Sequence, residues 1–289
     1  MILQFLGNGL VNGSLIAMVA LGFSLVYNTT RVFHIAYAGI YIWSAYILYF
    51  FMEVLQWPLP VSFLMAILSA GFLSLACETL LYAPMVKRGR SHNSLMVSSV
   101  GMLILLVSLS ELLFGNAARY INIDLSGMNL QYGMFLSGTR LTSLLISLMF
   151  MGFFFLYLKY SSMGIRIRAL RDDELMSRVF GVNTGKLRAF LFLLSGIFVA
   201  TASCLSAMDV GIHPHLGIPV FINAFVALVI GGIGRFDGPV IGGILLGLLQ
   251  AMTEYFFDSK WVMMVTFILL ILFLLIRPQG LIPEKSRAF

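Results

Sequence analysis

Long charge-free apolar runs recur along the whole chain, and no soluble fold can hide them all. They cover residues 2–30, 32–52, 54–77, 91–110, 141–158, 189–208, 210–234, 239–253 and 261–276. A membrane-spanning helix needs about 20 mostly apolar residues, so these runs predict about nine spans. Composition agrees. Of 289 residues, 10% are charged and 60% hydrophobic, whereas a soluble domain carries about 25% charged residues. The expected fold class is all-α: one polytopic transmembrane helix bundle of about 8–10 spans, forming a single domain over residues 1–289.

The opening residues, MILQFLGNGLVNGS, have no basic leader and no small-residue cleavage pattern. They read as a retained span and not as a signal peptide. Asn8-Gly9 and Asn12-Gly13-Ser14 read as flexible interruptions of that span. Cys77 and Cys204 both sit inside apolar runs and make no disulfide framework.

Charge sets the orientation. Residues 159–188 form a loop rich in Lys and Arg between two apolar runs: Lys159, Arg166, Arg168, Arg171, Arg178, Lys186 and Arg188. If this loop is cytoplasmic, alternation of the spans places every other basic residue on the same side except Arg119, Arg140 and Lys260. The positive-inside rule favours that arrangement, with the N-terminus outside and the C-terminus in the cytoplasm. A net charge of +6 is then directed at the anionic inner leaflet and not at nucleic acid. The longest outer loop, 115–140, carries Asn116, Asn122, Asp124, Asn129 and Gln131. It is either a docking surface for a partner or a solvated connector.

Within the basic loop, residues 165–180 are free of Gly and Pro. Ala169, Met176, Val179 and Phe180 fall at near-helical spacing. The pattern predicts one short amphipathic helix, stopped by Gly181, with Asn183 or Thr184 capping the helix that follows. Two readings fit the spacing equally: an interfacial helix held by anionic lipid, or a coupling element gripped by a cytoplasmic partner.

Elsewhere, turn-rich stretches at 28–46 and 231–247 hint at an internal repeat, a feature that marks binding sites in transporters. Gly232, Gly234, Gly238, Gly242 and Gly243 remove side chains where helices must approach closely, Gly242 and Gly247 fall on neighbouring turns, and packing is favoured over direct solute contact. Arg235 and Asp237 sit in a polar break where they can cap helix ends. No phosphate-binding Lys-Ser/Thr motif follows the glycines, so energy must come from another chain. Glu78, Glu111, Asp209 and Glu254 lie near span ends and read as surface groups, Glu78 turned toward the basic side. His213-Pro214-His215 reads as a polar outer loop, not a metal site. No catalytic grouping is present, so the chain reads as a non-enzyme.

Three stretches together resemble the branched-chain amino-acid permease family of ABC importers. The first is Ser162-Met163-Gly164-Ile165-Arg166-Ile167-Arg168-Ala169 leading to Gly181-Val182-Asn183. The second is Gly231-Gly232-Ile233-Gly234 with Asp237-Gly238-Pro239-Val240-Ile241-Gly242-Gly243. The third is Arg277-Pro278-Gln279-Gly280-Leu281. The resemblance implies a permease working by alternating access in the bacterial inner membrane, and it implies partners. These are two ATP-binding cassette subunits that bind the ATP, a second permease (a homologue or a copy of this chain), and an external solute-binding protein. No cofactor is implied for this chain itself. The implied coupling residues are Gly164, Arg166, Arg168, Ala169, Arg171, Asp172, Asp173, Arg178, Gly181 and Asn183.

His34, Tyr37 and Ala38 replace the Asn, His and Gly usual in that family after the first span, while Ala36, Tyr41 and Tyr46 keep the register. Pathway candidates are His34, Tyr37, Tyr41, Gly232, Gly234 and Gly242, with His34 alone read as a satisfied interfacial histidine. The solute expected is a small zwitterion with an apolar side chain. Urea, amides or aromatic acids are alternatives. A transporter driven by an ion gradient, or a lipid-bound scaffold with no transport role, is the rival of another class.

Overall fold

The computed structural model describes residues 2–121, 137–277 and 279–282. Asn122, Asp124, Asn129 and Gln131 of the predicted outer loop, together with Pro278, Lys285 and Arg287, lie outside the described residues. Among the described residues the regular structure is helical, apart from a single antiparallel bridge between Arg119 and Ile212. Eight helical stretches are long and apolar enough to cross a membrane.

The first of them, α1 (Ile2–Thr30), is the centre of the bundle, and its 17–26 region is buried. Helix α11 (Gly238–Phe256) lies along it, and the seam is built from small residues. Gly9, Gly13 and Ala17 face Ala251, Gly247 and Gly243, so that a Cβ at Gly247 would overlap Gly13, and one at Gly243 would overlap Ala17. In lipid there is no hydrophobic drive to hold helices together, and close backbone approach through such residues supplies the packing instead. The glycines read from sequence as interruptions of the first span do not interrupt it; they are its packing face.

Helix α2 (Tyr37–Tyr49) extends by a π-helical turn, Phe50–Val54. Helix α3 (Leu59–Ala76) runs through a second π-helical segment, Cys77–Tyr82, into α4 (Ala83–Lys87). Helices α5 (His92–Phe114) and α6 (Gly138–Tyr160) complete the first half. Two short helices follow, α7 (Ser162–Asp172) and α8 (Glu174–Val179). Then come α9 (Thr184–Val210), α10 (Gly217–Gly231), α11 and α12 (Val262–Ile276). Much of the surface of α5, α6 and α12 is apolar and exposed: Val97, Leu112, Phe153 and Leu275, for example, are each more than 70% exposed. That is the surface a bilayer covers.

Two connections are non-helical and partly buried in the bundle. After α1 ends at Arg31, in the left-handed region (φ 56°), residues 32–36 return along the interior before α2 begins. After α9 ends at Val210, residues 211–216 return from the opposite end before α10 begins. The two restarts meet, with Gly217 packed on the carbonyl of Ala38. Non-helical backbone at membrane depth is tolerated only where protein or a cavity surrounds it. Here Val32, His34, Ala36 and Ile212 are all buried. The predicted span over 210–234 is therefore corrected. Helix α10 has 15 residues, about 22 Å at 1.5 Å per residue, and residues 211–216 supply the rest of the crossing. The repeat hinted at in 28–46 and 231–247 takes a different form, a returning segment before α2 and another before α10.

Candidate functional site: a coupling element, a buried relay and a central cavity

The single amphipathic helix predicted over 165–180 is two helices. Asp173 is extended (φ −157°, ψ 115°), and its carboxylate accepts from the backbone N–H of Leu175 (2.7 Å) and Met176 (3.0 Å), capping α8. A residue that caps a helix start ends the helix before it. The break before α7 lies at Ser161, whose hydroxyl caps α7. Gly164 is a close contact, since any side chain there would strike the carbonyl of Leu158.

Helix α7 is fastened to the bundle. Ile167 and Leu170 are buried, Arg168 donates to the Leu158 carbonyl at the end of α6, and Arg171 pairs with Asp172 and lies over the Phe236 ring at 5.5 Å. Helix α8 presents the opposite character. Leu175, Met176, Val179 and Phe180 are exposed, Phe180 to 83%. The stripe expected to dock therefore has no cover among the described residues. Around it Arg166, Ala169, Asp172, Asp173, Arg178, Gly181 and Asn183 are exposed. Arg178 bridges Glu174 and the Thr184 hydroxyl. Gly181 ends the element with φ 79°, a left-handed turn, and Asn183 caps α9 through the N–H of Lys186.

All three family-like stretches converge at this end. Gly232 has φ 110° and is crossed by Gly280. Leu281 and Ile282 donate to the carbonyls of Ile230 and Gly231, so the C-terminal motif closes over the end of α10. Asn28 bridges the glycine-rich break, accepting from the Gly234 N–H (3.1 Å) and donating to the Arg235 carbonyl (3.3 Å). Gly242 packs on the Ala227 carbonyl. Gly232 and Gly242 thus sit at backbone contacts, as the packing argument expects, while Gly234 takes a left-handed turn held by Asn28. The Arg235 guanidinium beside Asp237 holds its carboxyl below the usual carboxylate range.

Beyond α7 and α8 lie two buried polar groups that sequence reasoning missed. Arg188, counted among the loop cations, is in α9 and buried, bonded to Glu78 at 2.8 Å. Glu78 does not turn toward the surface. Four residues on, Tyr82 shares its hydroxyl with His34 Nδ1 (2.8 Å) and Ser99 (2.8 Å), and Ser99 accepts from the N–H of Ala36 at the start of α2 (2.9 Å). His34 is fully buried, and its Nε2 has no partner among the described residues, so it is not the satisfied interfacial histidine expected. Tyr37 is buried and donates to the Val19 carbonyl. The only legible signal was a Glu and an Arg each inside or beside an apolar run, where an uncompensated charge is too costly to keep.

Tyr41 leads to a cavity of about 180 Å³ between α1, α2, α9, α10 and α11. Its polar wall is Asn12, Tyr41, Ser206, Asn223 and Gln250, and its apolar wall includes Ile16, Val19 and Val220. At the opposite end from α8, Arg140 ties α6 to Asp209 of α9 (3.0 Å) and Asn8 of α1 (2.7 Å). His215 approaches Glu111 at 3.5 Å. Among the described residues no group of His, Cys, Asp and Glu could hold a metal ion.

A multi-pass helical bundle with small-residue seams, two returning segments and a central polar cavity defines a membrane transport protein. The chain matches the model of the family described as branched-chain amino acid transport system / permease component over residues 5–274, and it belongs to that family. It is similar to the high-affinity branched-chain amino acid transport system permease protein LivH of Salmonella typhimurium, 28% identical over 99% of this chain and 97% of that protein. The permease protein BraD of Pseudomonas aeruginosa is 30% identical over the same shares. The ribose import permease RbsC of Haemophilus influenzae matches 40% of this chain at 29% identity. Among solved structures, PsaBC from Streptococcus pneumoniae in complex with Fab shares the fold, with a TM-score of 0.56 over 96% of this chain and 93% of that one at 11% identity. The chain is a permease subunit of an ABC importer.

Proposed function

We propose that the solute is a branched-chain amino acid, that the N-terminus lies outside and the C-terminus in the cytoplasm, and that α7 and α8 are the seat of an ATPase subunit. The observation that carries the coupling role is the division of labour within residues 162–180. Ile167, Leu170 and Arg168 lock α7 to the bundle, while Leu175, Met176, Val179 and Phe180 stand uncovered on α8. An exposed apolar cluster rimmed by charge marks a protein interface. Two ATP-binding subunits would bind the ATP and move α8, and the rigid attachment of α7 would pass that movement to α6 and α1. A second permease completes the pathway, and a solute-binding protein meets the opposite face. The named solute of the full-length relatives supports the choice of branched-chain amino acids.

The test is leucine uptake into proteoliposomes holding the permeases, ATPases and binding protein. Uptake should require ATP, and Phe180→Asp should abolish ATPase association while leaving the melting temperature unchanged. Uptake that follows a proton or sodium gradient without ATP would overturn the reading.

A further inference from the structure

We propose that the cavity around Asn12 is a binding site for the transported solute, and that it selects solutes with no net charge that carry both a hydrogen-bond donor and an acceptor, as an amino-acid zwitterion does. The choice of amino acid rests on the function proposed above; the selection by charge rests on the cavity alone.

The position is the first argument. Asn12 lies ten residues into the 29-residue α1, about 15 Å along the helix axis from its first residue and inside the apolar span. Its neighbours Val11 and Gly13 are buried, yet Asn12 is exposed to the cavity. An amide inside a span that packs nothing is costly unless it meets water or a solute. Tyr41 and Val220, on the opposite walls, each stand four residues or fewer past the helix restarts at Tyr37 and Gly217. In transporters the solute site lies where interrupted helices meet at the midplane.

The hydrogen-bond directions are the second argument. Thr266 uses its one hydroxyl proton on the Val262 carbonyl (2.9 Å), so it can only accept from Gln250. The amide nitrogen of Gln250 must therefore face Thr266 (2.9 Å), and it also donates to Asn223 Oδ1 (3.2 Å). This orients both amides without reference to a solute. Gln250 Oε1 and Asn223 Nδ2 are left with no protein partner among the described residues, and so is the whole amide of Asn12. The wall thus offers an acceptor to an ammonium group and donors to a carboxylate.

The third argument is what the wall lacks. It contains no Lys, Arg, Asp or Glu, so a solute with net charge would be desolvated without compensation. The apolar side formed by Ile16, Val19 and Val220 suits an aliphatic side chain. A volume of about 180 Å³ is below the roughly 300–1,000 Å³ of pockets for drug-sized ligands, which restricts the solute to a small one.

The experiment is protection from thiol modification. Cys77 and Cys204 are both buried, so the full chain without added cysteine is a quiet background. Asn12→Cys in membranes is treated with methyl methanethiosulfonate, which is small and uncharged, and modification is read by mass spectrometry. Ser206→Cys, on the same cavity and less buried than Ala202, serves if Asn12→Cys does not fold. The cysteine should react, L-leucine and L-valine should slow the reaction, and L-glutamate and L-lysine should not. Gln250→Leu should raise the leucine concentration for half-protection about tenfold, the loss of one directed hydrogen bond. An unreactive cysteine, a reaction that leucine does not slow up to its solubility limit, or equal protection by glutamate would each overturn the proposal. ATP-driven uptake without protection sinks the cavity but leaves the importer standing. Protection without ATP-driven uptake does the reverse.

Discussion

At the residue scale the Glu78–Arg188 pair has the largest energetic consequence. Both side chains are under 10% exposed, so removing one strands the other in a low-dielectric interior. Glu78→Gln should therefore destabilise by about 3–5 kcal/mol, whereas replacing both partners with apolar residues of similar volume should recover most of that loss. Thermal melting of the purified protein in detergent distinguishes the two outcomes. Asp237 gives a smaller, pH-dependent effect. Its pKa is lowered in the folded protein, chiefly by the hydrogen bond from Arg235, so its contribution is full above the unfolded value near 3.9 and is lost as pH falls through the folded value. Asp237→Asn should remove that part of the acid limb of a stability profile measured between about pH 2 and 5. The carboxylates and the arginine were visible in the sequence, but their partners were not. Glu78 and Arg188 are 110 positions apart, and no periodicity links them.

At the element scale, two features test how helices are started and seated. Asp173 both ends α7 and caps α8. Asp173→Ala should cost about 1 kcal/mol of local stability and weaken ATPase association measured by pull-down, with transport falling in proportion. Gly247→Val puts a branched side chain where the Gly13 backbone lies. Such overpacking costs about 1–3 kcal/mol or more and should lower the yield of folded protein in size-exclusion profiles, while Leu248→Val next to it should be tolerated. Gly181, Asn183 and the apolar face of α8 were legible because capping and turn chemistry are local. The division into α7 and α8 was not, because Asp173 reads as an ordinary helix residue until its side chain is seen to turn onto the next helix start. The pairing of Gly9 and Gly13 with Gly243 and Gly247 was hidden for the opposite reason. Each half of the seam is a local pattern, but only their meeting gives it meaning.

At the scale of the whole molecule, the orientation can be checked directly. Cysteines placed at Lys285 and at Gln4 should react from opposite sides of intact cells, with Lys285 protected from an impermeant reagent. Labelling of Lys285 from outside would reverse the topology. The sequence by itself determined that this chain enters a membrane, about how many times it crosses, which ends carry the positive charge and which loop concentrates it. Those properties follow from hydropathy, charge and capping, which act over a few residues and survive without knowledge of neighbours. Only the tertiary structure decided that residues 32–36 and 211–216 return through the interior, that Arg188 is buried against Glu78, and that five uncharged polar side chains line one cavity. Each of those depends on which distant backbone lies within a few ångströms, because a polar group in lipid is tolerable only if something from elsewhere in the chain, or a solute, completes it.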